Sequence, residues 1–187
     1  MLVGYVAVAC LGAMTVGLFA PEALRVLVAR SYHPEAASIP ALLLAFAAVA
    51  LGAYTVTSIG IGLALKTPLL GIAAWAGALA AGLAHLAFTP RLGPPGAALA
   101  TLAGYVSVAC LTFALAQRVR PMPYRGGAAL ALFGLALGLA FAAQRFAPQG
   151  IAGVAVRAAA IVLYAAVCWR MRVWTERTAV AAVPGGD

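Results

Sequence analysis

Charge is scarce in this chain. Only 9% of its residues are Asp, Glu, Lys or Arg, and 4 of those are acidic. With 2 histidines beside them, these groups are too few and too scattered to converge as the acid, base or metal ligands that a membrane-embedded lipid transferase would need. Enzymatic chemistry, a cofactor and a bound metal are therefore not expected. The 3 cysteines, Cys10, Cys110 and Cys168, stand at unrelated spacings inside apolar runs, with no CxxC pair. They read as small buried hydrophobes in preference to redox or metal-binding groups. Two-residue alternation is missing too, and the apolar runs are about twice the length of a barrel strand, which excludes a β-barrel. The N-terminus has no basic stretch ahead of its apolar run, and that run is long for a signal segment, so residues 2–20 read as a true span.

What is abundant is apolar surface. The chain is 65% hydrophobic with a mean hydropathy of +1.05, more than a soluble domain of this length can cover, since roughly half of its accessible surface would still meet water. An all-α integral membrane protein follows, with one domain as the length suggests. The net charge of +8 does not indicate a nucleic-acid partner. The basic residues sit singly or in small groups between apolar runs, as flanking anchors of spans do, and build no face that tracks a phosphate backbone.

A bilayer core of about 30 Å takes roughly 20 apolar residues as a helix. Six segments qualify: 2–20, 39–65, 69–89, 96–117, 126–143 and 150–169. Together they predict a transmembrane bundle over residues 1–172 and a disordered cytoplasmic tail over 173–187. Pro68 is expected at a helix start, where its missing N–H does no harm. The segment Pro90-Arg91-Leu92-Gly93-Pro94-Pro95-Gly96 is a strong turn signal. Between the first two spans, residues 21–37 place Leu24, Leu27 and Val28 on one face with Glu22 near the start; this fits a short interfacial helix, or a plain polar loop. One set of alternate loops holds Lys66, Arg118, Arg120, Arg125, Arg170, Arg172 and Arg177, and the other Arg25, Arg30, Arg91 and Arg145. The excess predicts both termini in the cytoplasm of a multi-pass inner-membrane protein. Stripes of small residues, Ala74, Ala78 and Gly82 in the third span and Gly134, Gly138 and Ala142 in the fifth, would let helices approach closely.

Three stretches carry a family resemblance: Leu18-Phe19-Ala20-Pro21-Glu22-Ala23-Leu24, Tyr32-His33-Pro34-Glu35-Ala36, and Ile39-Pro40-Ala41-Leu42-Leu43. A stronger match is Phe88-Thr89-Pro90-Arg91-Leu92-Gly93-Pro94-Pro95-Gly96-Ala97-Ala98-Leu99-Ala100-Thr101. The chain thereby resembles the C-terminal part of polysaccharide biosynthesis flippases in the multidrug/oligosaccharidyl-lipid/polysaccharide exporter superfamily, over residues 15–120. The resemblance implies that the second match joins two helices on the non-cytoplasmic side, with Pro90, Gly93 and Gly96 as structural turn residues. Glycine suits the reversal because it has no Cβ. Relatives often carry asparagines in the preceding helix where this chain has Ala81 and His85; His85 can replace one amide as an interhelical hydrogen-bonding group, and Ala81 cannot.

The resemblance implies translocation of a lipid-linked oligosaccharide or polysaccharide precursor by alternating access between two lobes. Such relatives have about twelve to fourteen spans. Six spans are then part of one lobe, and a missing N-terminal lobe or a partner chain is expected to be needed beside the membrane lipids. A multidrug-type antiporter fragment and a structural membrane subunit without transport are the alternatives. Within the spans, Arg157 lies about two turns deep and either contacts a substrate phosphate or snorkels to the headgroups. Tyr54, Thr57 and Ser58 share a face of the second span, and Thr101, Tyr105 and Thr112 lie near one stripe of the fourth. These hydroxyls either line a glycan-binding cavity or bond back to their own helices. Glu22 and Glu35 are expected outside the core, leaving no carboxylate within a span for cation coupling.

Overall fold

In the computed structural model, which describes residues 2–27, 37–121, 124–146 and 150–171, six helices follow one another: α1 (Leu2–Leu27), α2 (Ser38–Leu63), α3 (Pro68–Leu92), α4 (Pro94–Val119), α5 (Gly126–Phe146) and α6 (Ile151–Arg170). All six are long and apolar enough to cross a membrane, and no strand occurs among the described residues. The reason is backbone satisfaction: a helix pairs its own N–H and C=O groups where lipid offers no partner. The chain is an all-α membrane bundle. Residues 28–36 and the tail 173–187 lie outside the described residues.

Besides α5, which runs three residues past its expected end to Phe146, the helix ends differ from the sequence expectations in three places. α1 does not stop at Ala20; it runs through Pro21 to Leu27, so residues 21–27 prolong the span and do not form a separate interfacial helix. Proline in the interior removes a single N–H bond, and the flanking apolar residues continue the helix. α2 ends at Leu63, two residues early, because Leu65 adopts a left-handed conformation (φ 55°). The Leu65 N–H bonds the Gly62 carbonyl and the Lys66 N–H bonds the Ile61 carbonyl, the paired pattern of a Schellman terminus. The expected turn at 90–96 contracts to one residue. Pro90 lies inside α3, and Gly93 alone joins α3 to α4, at φ 61° and ψ −136°. A side chain is strained in that region, and Pro94 restarts the helix at once. A Cβ on Gly96 would strike the Phe88 carbonyl, so its role is close approach of the two helices.

In space α3 packs on α4, α4 on α2, α2 on α1, α1 on α5, and α5 on α6, with a second contact between α6 and α1. The core sits where α1, α2 and α5 meet, around Met14, Leu18, Leu42, Phe46 and Leu132. Phe46 and Phe133 stack edge to face, with centroids 5.6 Å apart and planes at 84°, a favoured aromatic geometry. Glycines set the closest approaches: Gly17 against Leu42, and Gly77 and Gly104 between α3 and α4. The stripes Ala74/Ala78/Gly82 and Gly134/Gly138/Ala142 are exposed instead, one position after the buried Ala73 and Gly77 in α3 and two after the buried Leu132, Ala136 and Ala140 in α5. α3 presents Ala73 and Gly77 to the bundle.

Candidate functional site

Polar atoms concentrate at one end of the bundle, where α1 and α5 finish and α6 begins. Arg157 of α6 donates through Nη1 to Glu22 Oε1 of α1 in a direct ion pair. Glu22 stands five residues before Leu27 and Arg157 six after Ile151, so the helical rise puts them about 8 and 9 Å from their helix ends. Matched depth lets the two charges meet without either reaching for the headgroups. The Arg157 side chain is 14% exposed and that of Glu22 39%. The arginine is thus well shielded, whereas the Glu22 side chain is half-exposed although its Oε2 is buried. Glu22 Oε2, Arg157 Nε and Gln144 Oε1 on α5 are buried without a hydrogen-bond partner. An orphaned acceptor or donor in such surroundings is costly, so this end retains capacity for a further polar group.

This arrangement revises two expectations. Glu22 does not lie outside the spans, because α1 continues past it; a carboxylate is present within a helix that can cross the membrane. Arg157 neither snorkels freely nor waits as an isolated cation, since Glu22 already engages it. Pairing across 135 positions leaves no trace in local periodicity. The one available signal was the coincidence of an acid and a base at equal depth on helices running in opposite directions.

The hydroxyl faces do not gather into a polar cavity. Thr57 Oγ1 donates to the carbonyls of Ala53 at 2.9 Å and Tyr54 at 3.0 Å, and Ser58 Oγ to Thr55 at 2.8 Å. Thr101 Oγ1 donates to Ala97 at 3.0 Å. Each of these bonds stays within its own helix, the alternative that competes with ligand binding. Tyr105 packs against the apolar core, and Thr112 Oγ1 is buried without a partner. His85 does not bridge helices: its Nδ1 shares a 3.1 Å hydrogen bond with Thr89 Oγ1 one turn along α3. A hydroxyl that does bond between helices is that of Tyr5, which donates to the Val49 carbonyl of α2 at 3.3 Å and carries no signal in the sequence. Its ring fits there because Gly52 has no Cβ to strike it.

A second feature lies toward the opposite end. A cavity of about 290 Å³ opens between α1, α2, α4 and α5, lined among others by Val6, Ala53, Val106, Phe113, Leu130 and Phe133. Of the predicted hydroxyl residues only Thr57 borders it. Cys110 stands at its exposed rim, whereas Cys10 and Cys168 are buried. Among the described residues no group of three His, Cys, Asp or Glu could hold a metal. No family model, no curated protein and no solved structure matches this chain.

Proposed function

We propose that the chain is part of a transporter that moves a lipid-linked oligosaccharide across a bacterial inner membrane, with Arg157 as the contact for the substrate's phosphate. The Glu22–Arg157 pair is the single observation that carries the reading. Charges inside spans are expensive and tend to mark substrate or ion pathways. A guanidinium already turned toward an anion, with Nε still unpartnered, is suited to exchange a carboxylate for a phosphate, or to bind both. Glu22 holds the charge neutral until an anion arrives. The turn sequence around Gly93 and Gly96 adds the family resemblance. Six spans then supply part of one lobe, and the remainder comes from further spans or a partner chain.

A second reading has its own support. The backbone-bonded hydroxyls of Thr57, Ser58 and Thr101 suit a structural membrane subunit without a glycan path. A cation-coupled antiporter would now have a carboxylate in Glu22, but Arg157 occupies it.

The test is binding by the full chain in phosphatidylethanolamine nanodiscs, using a fluorescent polyprenyl-diphosphate-linked disaccharide. Saturable binding is expected, reduced about tenfold or more in Arg157→Ala, as loss of a charge-assisted contact requires, and partly retained in Arg157→Lys. Undiminished binding by Arg157→Ala, or equal binding of a neutral polyprenol probe, would leave the structural subunit as the better account.

A further inference from the structure

The cavity between α1, α2, α4 and α5 stands apart from the Glu22–Arg157 end and does not depend on the transport reading. Its neighbours run antiparallel. It borders the start of α1 (Leu2, Val6), α2 from its middle onward (Val49 to Thr57), α4 from its middle onward (Val106 to Phe113) and the start of α5 (Gly126 to Phe133). It therefore lies toward the end of the bundle that carries Lys66, Arg118, Arg120 and Arg125, all four exposed. α4 and α5 are consecutive in the chain, yet among the described residues they hardly pack on each other. The exposed Cys110 and Leu130 mark the gap between them, which faces sideways. At the loop end the Phe113 ring lies against Gly126 and closes the slot above that opening.

The lining decides what can enter. Its residues are apolar except for the Thr57 hydroxyl and the Cys110 thiol. The Thr57 hydrogen is committed to the Ala53 and Tyr54 carbonyls. Water needs two to four polar partners to be held, and a sugar needs more. A hydrocarbon chain needs none, and a sideways slot in a bilayer is bathed in them. The volume of about 290 Å³ is at the lower end of ligand pockets, which run from about 300 Å³ upward; that suits one chain segment better than a bulky ring system. The arginines at the same end supply the complementary charge, because phosphate oxygens suit a guanidinium fork.

We infer that this slot holds one acyl chain of an anionic glycerophospholipid, with its phosphate against the arginines that flank the α4–α5 connection. The lipid fills the space that direct packing of α4 on α5 would otherwise take, and so joins the α3–α4 pair to the α5–α6 pair. Its headgroup belongs to the leaflet that the loop charges assign to the cytoplasm.

The full chain is purified in detergent with an equimolar mixture of phosphatidylglycerol and phosphatidylethanolamine, and retained lipid is read by native mass spectrometry. One bound phosphatidylglycerol is expected, preferred about tenfold, the scale of one or two arginines acting on an anionic lipid. The triple variant Arg118→Gln, Arg120→Gln, Arg125→Gln changes only exposed side chains; it should keep a bound lipid and lose the preference. Ala53→Trp, which fills the slot, should lose the lipid altogether. Should Ala53→Trp fail to fold, alkylation of Cys110 in a Cys10→Ala, Cys168→Ala background decides, with phosphatidylglycerol expected to slow it and phosphatidylethanolamine not. Equal retention of the two lipids by the unaltered chain would overturn the inference. So would a preference that survives the triple variant, or a dimer that persists without lipid and disappears with Ala53→Trp, which would mean that a second copy fills the slot.

Discussion

Both ends of the bundle carry exposed basic residues, Arg25, Arg91 and Arg145 where α6 begins, but among the described residues only that end also pairs charges within its helices. At the end where α6 begins, Glu22 and Arg157 meet within the helices and neutralise each other. At the other end Lys66, Arg118, Arg120 and Arg125 stand exposed, and a cavity with an apolar lining lies toward that end. Exposed arginines cost little to keep, because water and lipid phosphates solvate them. The inner pair lacks that relief, and neither partner tolerates loss of the other. A charge can thus be solvated at the surface or paired within the bundle according to its depth. The backbone also differs, with a positive φ relieved by glycine at one end (Gly93, φ 61°) and a strained leucine at the other (Leu65, φ 55°).

Four single substitutions and one double variant sharpen or break that contrast, read as thermal unfolding in detergent through the reactivity of the buried thiols Cys10 and Cys168, in a Cys110→Ser background. The largest effect belongs to Arg157→Ala, which strands Glu22. A loss of about 3 kcal/mol is expected, the low end of the range for breaking a buried pair, because the Glu22 side chain is 39% exposed. Glu22→Leu combined with Arg157→Leu should recover most of it; equal damage from the single and double variants would show that the pair is not coupled. Gly93→Ala comes next, at about 2 kcal/mol, the strain of a side chain in a region nearly confined to glycine. An unaffected melting temperature would mean that the one-residue reversal relaxes to another shape.

At the opposite end the sign reverses. Leu65→Gly should stabilise by about 1 kcal/mol, since glycine removes the left-handed penalty at the end of α2, and a loss of stability would show that the exposed Leu65 side chain contributes packing. The smallest effect is Arg118→Gln, within about 0.5 kcal/mol as for other surface changes. A larger drop in lipid-free detergent would place that arginine in the same class as Arg157 and erase the contrast between the ends.

Spans of similar composition also end in different surroundings. α1 and α3 are both apolar along their length, yet about half of α1 is buried in the bundle and only a small part of α3. Hydropathy alone does not separate them, because lipid and protein interior are equally apolar and a span reads the same against either. The small-residue stripes misled for that reason. Ala74, Ala78 and Gly82 have the right spacing, but Ala73 and Gly77, one position earlier, are the ones that meet α4.

The sequence by itself determined the class of molecule, the six helices and most of the breaks between them. The cause is local: each span satisfies its own backbone, and length, proline and glycine act within a few residues of where they stand. Only tertiary structure decided that Glu22 meets Arg157, that Tyr5 bonds Val49, that α1 runs on past Pro21, and that α4 and α5 leave a slot between them. Each of these depends on which helix faces which. In an apolar solvent that choice rests on side-chain shape and on a few charges brought to equal depth from distant parts of the chain, and hydropathy does not record either.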